Sequence, residues 1–297
     1  MTLGDGHLGK TGLMSQAEVD ALVALLDLEP IEVNMFRGVS PGEDRQRVFG
    51  GQVAGQALVA AARTVELEDG SVNSMHAYFL RPGDPKIPIL YEVDRIRDGK
   101  SFTTRRVVAI QHGQAIFNMS ASFHRHEPGL NHQLPMPDVP RADQLPTFRE
   151  RWEQWKDDLG PWFDRPRPID TRHVDWSPPD RKDPLPPYQR VWLRADGALP
   201  DDPLLHTCVL TYASDMTLLD TTLLPHGGQV ANHQLMMASL DHAMWFHRPF
   251  RADQWLLYVQ DTPSTSDARG LARGLIYTED GDLVVSVTQE GLIRVVP

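Results

Sequence analysis

The sequence predicts an α+β protein built from two copies of one domain, and two observations lead to this fold class. A long segment occurs twice: His76-Ala-Tyr-Phe-Leu-Arg-Pro returns as His242-Ala-Met-Trp-Phe-His-Arg-Pro, and the offset stays between 166 and 168 residues over about fifty positions. A repeat of this length indicates a duplicated domain, because solenoid units span only roughly 20–50 residues. Each copy also contains a strand, one helix and then several strands, and one helix against one antiparallel sheet is an α+β arrangement.

The two predicted copies differ in their polar residues. Asn73 falls in the register of Ser239, and Ala121 falls in the register of Gln289. A duplication in which one copy has lost particular polar side chains is typical of a fused dimer with one surviving active site. Neutral differences between two surfaces are the alternative explanation.

The first copy is predicted to span residues 14–126. Residues 1 to about 13 are rich in glycine and are predicted to be loose, and Ser15-Gln-Ala-Glu18 has the pattern of a capping box that opens a short helix. The pair Gly50-Gly51 opens a second helix of mostly small residues, which is predicted to end near residue 62. Alternating apolar residues and turn signals predict strands at 31–37, 72–80, 87–96, 101–112 and 115–125.

Residues 127–187 are predicted to form a packed connection between the two copies. This stretch holds 13 of the 24 prolines, which exclude long helices and central strands over most of its length. It also holds four of the seven tryptophans, whereas disordered linkers are poor in aromatic residues. The connection is therefore expected to pack against the domains rather than to hang free.

The second copy is predicted to span residues 188–297. It opens with a strand around residues 190–194, and a helix follows from about residue 204 to residue 219, where apolar side chains recur on one face. Further strands are predicted at 235–247, 254–263, 267–278 and 282–294.

Composition excludes several classes of partner and site. A net charge of −11 argues against nucleic acid or an anionic membrane as the main partner, since both bind basic surfaces. The single cysteine, Cys208, excludes an internal disulfide and a cysteine-based zinc site. Neither a signal peptide nor a stretch of 18 apolar residues is recognisable, so a cytoplasmic protein without membrane insertion is expected.

Two polar residues are predicted to lie at or near the core. Asp215 falls on the second-copy helix at the border of its apolar stripe, and an exposed helical aspartate is the alternative. Gln289 shares a strand face with Leu283, Val285 and Val287, where an unpaired amide would cost roughly 1–3 kcal/mol. A core glutamine satisfied by backbone groups is the alternative for this residue.

Other patterns of catalytic or ligand-binding residues do not fit. A triad of Ser239, Asp241 and His242 is disfavoured, because strand alternation puts His242 on the opposite face from Ser239 and no G-x-S-x-G motif surrounds the serine. His124-Arg-His-Glu127 precedes a proline that prevents the helix of an H-E-x-x-H zinc site, and Gly50-Gly51-x-x-x-Gly55 matches no nucleotide-binding glycine motif. No metal or redox cofactor is predicted.

Seven motifs occur in one order along the chain: Phe36-Arg-Gly38, Val48-Phe-Gly-Gly-Gln52, Tyr78-Phe-Leu-Arg-Pro-Gly-Asp84, Tyr212-Ala-Ser-Asp215, Asp241-His-Ala-Met-Trp-Phe-His-Arg-Pro-Phe250, Ser266-Asp-Ala-Arg-Gly270 and Gln289-Glu-Gly291. With these motifs the chain resembles acyl-CoA thioesterase II, the TesB-like double hot-dog family, over nearly its whole length. The resemblance implies a hot-dog fold in each copy, in which a curved antiparallel sheet wraps a long helix. It also implies hydrolysis of the thioester of acyl-CoA without a cofactor, and a homo-oligomer, because hot-dog sheets often pair further.

The resemblance implies a catalytic trio of Asp215, Ser239 and Gln289. Asp215 is the one member that can accept a full proton from water, so it is the candidate base, while direct attack by its carboxylate remains the alternative. Partial burial is expected to raise its pKa, because an ordinary aspartate, with a pKa near 4, is a weak base at pH 7. Backbone N–H groups at Gly50 and Gly51 are the candidate donors to an oxyanion.

Two other functions remain open for the same fold. One is a hot-dog protein that binds acyl-CoA without turnover, which would not need all three residues of the trio. The other is a hydratase of unsaturated acyl-CoA, which usually places a histidine close to the aspartate on the active helix. The sequence argues against a hydratase, because the nearest histidine on that helix, His206, lies nine residues from Asp215.

Overall fold

The computed structural model describes residues 8–41, 46–66, 70–227 and 234–296, with side chains from residue 15 onward. The first half contains two helices and six strands: α1 (Leu8–Leu26), β1 (Glu29–Glu32), β2 (Met35–Gly38), α2 (Gly50–Ala62), β3 (Gly70–Phe79), β4 (Ile89–Asp98), β5 (Phe102–Gln111) and β6 (Gln114–Arg125). The connection contains short helices and one strand: α3 (Phe148–Trp152), α4 (Lys156–Leu159), α5 (Pro161–Asp164) and β7 (Ile169–His173). The second half contains β8 (Tyr188–Ala195), α6 (Pro203–Ser214), a 3-10 segment (Leu219–His226), β9 (Gln234–Ser239), β10 (Asp241–Phe246), β11 (Leu256–Ser266), β12 (Arg269–Thr278) and β13 (Leu283–Val296).

The strands of the described residues form one continuous sheet that passes through both halves. The order is β1-β2-β4-β5-β6-β3-β10-β13-β12-β11-β8-β7, and β9 also pairs with β13. The two halves join where β3 and β10 run antiparallel, with His76 opposite Ala243. Each half therefore contributes one side of a common sheet. Within the described ranges, no helix is both long and apolar enough to cross a membrane.

The helices α2 and α6 pack against each other in opposite directions, with their backbones unusually close. A Cβ atom on Gly51 would lie 2.3 Å from the carbonyl oxygen of Tyr212, and one on Gly55 would lie 3.3 Å from that of Cys208. Glycine is needed at Gly51 because a side chain there would meet rigid backbone. The pairing brings the N-terminus of α2 beside the C-terminus of α6, at the junction of the two halves.

Most predicted elements occur near their predicted positions, but several predictions are wrong: residues 8–13 are helical, and the strand predicted at 235–247 is divided into β9 and β10. α1 begins at Leu8, so the Ser15-Gln-Ala-Glu18 pattern lies inside this helix and does not open it. Serine and glutamate can also occupy interior positions of a helix. The single strand predicted at 31–37 is a hairpin of β1 and β2, in which Asn34 adopts a φ of 59°, a conformation that asparagine tolerates. The helix predicted to reach residue 219 ends at Ser214, and a separate 3-10 segment begins at Leu219.

The connection packs against the second half, as its tryptophans predicted. β7 pairs with β8 and so extends the sheet by one edge strand. Trp152 makes edge contacts with Trp155, Trp162 and Trp176 at ring-centroid distances between 5.8 and 6.3 Å. Proline excluded long elements from this stretch, but it did not exclude a short strand at the edge of the sheet.

Both copies carry a β-bulge at the same place, and the two bulges fix how the copies correspond. In β3 the extra residue is Asn73, between Val72 and Ser74. In the second copy the extra residue is Leu240, which separates β9 from β10. Alignment of the bulges equates Val72 with Ser239, whereas the sequence repeat had placed Asn73 in that register. The alignment of the two copies is therefore corrected by one residue at this position. Single-residue insertions within a repeat shift the alignment of the residues that follow them.

Candidate active site

Asp215 lies at the junction of the two helices. It is the residue that follows the last turn of α6, and its half-buried carboxylate accepts a hydrogen bond from the N–H of Gly51 in the first turn of α2. A Cβ on Gly50 would lie 2.6 Å from Asp215 Oδ2, so the glycine pair leaves room for this carboxylate. The position favours a negative charge, because the N–H groups at a helix N-terminus have no partners within the helix.

The three residues of the predicted trio lie in direct contact. Ser239 Oγ donates to Asp215 Oδ1 at 3.1 Å, and Gln289 Nε2 donates to the same oxygen at 2.8 Å. Gln289 Nε2 also donates to Ser239 Oγ at 2.6 Å. Gln289 is fully buried, and side chains, not backbone groups, satisfy its amide. Residues far apart in the sequence, at the C-terminus of α6, on β9 and on β13, therefore form one polar cluster.

The bulge at Leu240 places Ser239 in this cluster. Asp241 Oδ1 accepts a hydrogen bond of 2.7 Å from the backbone N–H of Glu290, which fixes the irregular step between β9 and β10. Asp241 is thus engaged in holding the backbone and does not contact Ser239 in the manner of a triad. The extra residue shifts the alternation of the strand by one. As a result, His242 points to the same side of the sheet as Ser239, and the predicted opposite orientation is wrong.

His242 is the residue of this cluster that the sequence analysis missed. Its Nδ1 lies 3.2 Å from Gln289 Oε1, and its Nε2 lies 2.9 Å from Ser214 Oγ. The side chain is 1% exposed. The sequence carried no signal of the bulge. The assumption that side chains alternate along one continuous strand therefore placed His242 on the wrong face of the sheet.

Burial perturbs the pKa values of both ionisable groups in the cluster. Desolvation raises the pKa of Asp215, and the neighbouring His242 together with hydrogen bonds from Gln289, Ser239 and Gly51 offsets part of that rise. The predicted direction of this shift is confirmed. Desolvation lowers the pKa of His242, against the attraction of the Asp215 carboxylate. The imidazole is therefore expected to be neutral at pH 7.

The first copy lacks every one of these polar groups at the corresponding positions. Alignment of the bulges and of the helix ends equates Asp215 with Arg63, Ser239 with Val72, His242 with Met75 and Gln289 with Ala121. Arg63 turns away and binds Asp27 and the carbonyl of Leu28. The polar network is thus present in the second copy only, as the unequal repeat predicted.

Arg105 fills the space that the lost network left in the first copy. It lies opposite Ala121, whereas the second copy has Ala272 opposite Gln289. The guanidinium is 1% exposed and donates to the hydroxyl and carbonyl of Thr64, each at 2.8 Å, as well as to Asp98. A buried arginine therefore closes the end of α2 in this half.

Arg105→Ala is expected to lower the free energy of unfolding by roughly 3 kcal/mol, because it leaves buried Thr64 groups without donors. Urea unfolding measures this loss. Arg106→Ala on the same strand is the control, since Arg106 is 56% exposed and its ion pair with Asp94 spans 3.9 Å, so a change of about 0.5 kcal/mol or less is expected. Equal losses of unfolding free energy in the two variants would show that the buried hydrogen bonds of Arg105 do not stabilise this half.

Two family models match the chain, one in each half. The model described as acyl-CoA thioesterase matches residues 175–292, and the model described as acyl-CoA thioesterase N-terminal domain matches residues 40–124. Curated relatives include human acyl-coenzyme A thioesterase 8, which is 43% identical over 93% of this chain and 89% of its own length. Acyl-CoA thioesterase 2 of Haemophilus influenzae is 38% identical over 92% of this chain and 96% of its own length.

Solved structures share the whole fold. The acyl-CoA thioesterase II TesB2 of Mycobacterium marinum is 46% identical, with a TM-score of 0.77 over 93% of this chain and 98% of its own. A hot-dog protein from Alicyclobacillus acidocaldarius is 20% identical, with a TM-score of 0.73 over 93% of this chain and 98% of its own, a likeness that concerns the fold alone. The predicted double hot-dog α+β fold is confirmed.

Proposed function

Because this chain belongs to the acyl-CoA thioesterase family, we propose that it hydrolyses the thioester bond of acyl-CoA with a water molecule held by Asp215, Ser239 and Gln289. The observation that carries the proposal is the direct hydrogen bonding of these three side chains beside the N-terminus of α2. A protein that only bound acyl-CoA would have no need of a half-buried carboxylate oriented by two other side chains.

The two oxygens of Asp215 have different surroundings, and Oδ2 is the candidate base. Oδ1 already accepts hydrogen bonds from Ser239 and Gln289. Oδ2 receives neither of these two hydrogen bonds and lies so close to Gly50 that a Cβ there would be 2.6 Å from this oxygen. We assign to Oδ2 the proton of the attacking water. The raised pKa of Asp215 makes its carboxylate a better proton acceptor near neutral pH than an ordinary aspartate.

The reaction then proceeds in two steps. Water oxygen attacks the thioester carbon while its proton moves to Asp215 Oδ2, and the carbonyl electrons move onto oxygen to give a tetrahedral oxyanion. The oxyanion collapses, the carbon–sulfur bond breaks, and the proton on Asp215 passes to the leaving thiolate of CoA. The carboxylate is regenerated, and the products are the free acid and CoA.

The first turn of α2 is the proposed donor to the oxyanion. N–H groups at a helix N-terminus lack intrahelical partners and favour negative charge. Gly50 and Gly51 begin this turn, and the N–H of Gly51 bonds the Asp215 carboxylate in the absence of substrate. The same turn is therefore proposed to serve the carboxylate and the substrate oxygen from adjacent N–H groups.

Release of free thiol from a panel of acyl-CoAs tests the proposed function. Turnover of at least one chain length is expected, with the free acid as the second product. Saturable binding without any thiol release would instead indicate a protein that only binds acyl-CoA. Mass spectrometry of the protein quenched during turnover tests the water mechanism, because attack by Asp215 or Ser239 would leave an acyl group on that residue.

Hydration of an unsaturated acyl-CoA is the second candidate, and one observation bears on it. The sequence argument that no histidine lies near Asp215 is wrong, since His242 reaches the same cluster. However, the amide of Gln289 stands between the imidazole and the carboxylate. An imidazole satisfied by Gln289 and Ser214 has no free nitrogen for a substrate, so hydrolysis is the better-supported function.

Gly50→Ala is expected to lower kcat at least tenfold, because the new Cβ would lie 2.6 Å from Asp215 Oδ2 and 2.9 Å from the Phe79 ring. Steady-state kinetics measures the loss. Gly129→Ala is the matched control, since nothing lies within 4 Å of a Cβ at that position. Parental kcat in a folded Gly50→Ala variant would show that the close approach of Gly50 to Asp215 Oδ2 does not matter for the rate.

The raised pKa of Asp215 predicts how rate and stability depend on pH. The rate should fall on the acid side with a midpoint above the ordinary aspartate value of about 3.9, because only the carboxylate accepts a proton. A carboxyl whose pKa is raised by folding loses stability as pH rises through that value. Urea titrations should therefore show Asp215→Asn to be more stable than the parent at pH 7, with the difference shrinking towards pH 4.

The two copies are proposed to be separate hot-dog domains at residues 14–126 and 188–297, with residues 127–187 as their connection. The matching bulges, and the pairing of the two halves of the sheet through β3 and β10, support this division. The observed α1 and β7 lie partly or wholly outside the proposed domains, where they cover α2 and lengthen the sheet.

A further inference from the structure

We propose that His242 is a positioning residue for the hydrolysis, which sets the orientation of the Gln289 amide through a hydrogen-bonded chain from Ser214 to Asp215. This inference rests on the proposed function, because it concerns the same reaction. His242 touches neither Asp215 nor Ser239 by a hydrogen bond and acts through Gln289.

The hydrogen bonds of Gln289 admit one orientation of its amide. Both N–H bonds of Nε2 are directed at acceptors, Asp215 Oδ1 and Ser239 Oγ. Oε1 then faces Nδ1 of His242, which must carry a proton for the contact of 3.2 Å to be a hydrogen bond. The reversed amide would direct its carbonyl oxygen at the Asp215 carboxylate. A donor at His242 Nδ1 therefore selects the orientation that orders the catalytic carboxylate.

Ser214 offers Nε2 a partner in the tautomer that Gln289 Oε1 requires. Its hydroxyl lies 2.9 Å from His242 Nε2 and also 2.9 Å from the carbonyl of Thr211. In the neutral imidazole with the proton on Nδ1, Nε2 accepts from the hydroxyl of Ser214. If the ring becomes protonated, Nε2 donates to Ser214 Oγ and the hydroxyl turns to Thr211. The Nδ1 proton that holds Gln289 is present in both states.

The repeat inside the chain provides an independent comparison. Ser214 is the last residue of α6 and corresponds to Ala62, the last residue of α2, and His242 corresponds to Met75. Met75 lies opposite Ala121 and is fully buried, as His242 is at its own position. The fold therefore needs volume at this site but no imidazole. The first copy therefore has no counterpart of the Ser214 hydroxyl or the His242 imidazole, and it also has no counterparts of Asp215, Ser239 and Gln289.

Substitutions that keep or remove the Nδ1 donor test this role. The amide nitrogen of His242→Asn can replace Nδ1, whereas that of His242→Gln reaches towards Ser214 and His242→Met offers no donor. We expect His242→Met and His242→Gln to lower kcat about 10²-fold with KM changed less than about threefold, by analogy with the loss of one preorganised donor. His242→Asn should stay within about tenfold of the parent.

The pH profile provides a readout that a structural role would not move. Without the ordered amide and the nearby imidazole, the Asp215 carboxylate loses groups that lower its pKa, so the acid limb of kcat should move to higher pH in His242→Met. Ser214→Ala should shift the same limb in the same direction by a smaller amount. His206→Met is the control, because His206 is a buried histidine outside the hydrogen-bonded chain from Ser214 to Asp215. We expect the acid limb of kcat to be unchanged in this variant.

The outcomes separate this inference from the proposed function. Two results would overturn the positioning role while Asp215→Asn remains inactive. One is a parental kcat with an unmoved acid limb in folded His242→Met. The other is an equal loss of kcat in His242→Asn and His242→Met. An active Asp215→Asn would instead refute the water mechanism itself. If His242→Met does not fold, Ser214→Ala decides, since it leaves the core volume nearly unchanged, and an unmoved limb there overturns the role.

Discussion

Asp215→Asn is expected to abolish hydrolysis and to leave the fold intact. The amide has nearly the shape of the carboxylate but cannot take a proton from water, and the loss of a general base typically lowers rates by about 10²–10⁴-fold. Thiol release from acyl-CoA measures the effect, and urea unfolding verifies the fold. Activity within tenfold of the parent would exclude Asp215 as the base.

The same substitution in a different place provides the control for Asp215→Asn. Asp241 also lies in the second copy, next to the bulge at Leu240, and its carboxylate accepts a hydrogen bond from the N–H of Glu290. Asp241→Asn keeps an oxygen for this N–H and is therefore expected to retain most of the rate. Comparable losses in the two variants would indicate disturbance of the bulge and not the loss of a base.

Gln289→Ala is expected to lower kcat by about 10²–10³-fold, the effect of removing preorganised hydrogen bonds from a catalytic site. The change removes both donors that order Asp215 and Ser239, as well as the acceptor of His242. Steady-state kinetics on correctly folded protein measures the loss, and the main effect should fall on kcat.

Gln111→Ala is the matched control for Gln289→Ala. Gln111 is 5% exposed, lies at the end of β5 in the first copy, and bonds backbone groups of Asp84 and Ile87. Its removal should also destabilise the protein, because it leaves partly buried backbone groups of Asp84 and Ile87 without these partners, but the rate per folded molecule should stay near the parental value. If both variants lost activity alike, the effect of Gln289→Ala would be one of stability.

The sequence located the helices and strands of the first copy well. Observed β3, β4, β5 and β6 begin and end within two residues of their predicted positions, because alternation and turn residues are local signals. The helix that starts at Gly50 was also predicted, from its glycine pair and small side chains. Boundaries were wrong where local signals had two meanings, as at Ser15, which suits a helix interior as well as a cap.

The corrections at the candidate site share one physical cause. A β-bulge inserts a single residue, Leu240, and this residue reverses which side chains of the strand face α6. Nothing in the residues around Ser239 distinguishes a bulged strand from a regular one. The sequence therefore predicted that Ser239 and Gln289 belong to one site, where the structure brings them into contact, but it assigned His242 to the wrong face and matched Asn73 instead of Val72 to Ser239.

By itself, the sequence determined the duplication, the α+β class and the family resemblance, since each depends on residue types and spacing along the chain, and the resemblance supplied the trio that we propose as catalytic. The tertiary structure alone decided that Asp215 meets the N-terminus of α2, that His242 joins the network and that Arg105 closes the other copy. These facts depend on how two helices and a bulged sheet meet in space, where residues more than twenty positions apart become neighbours.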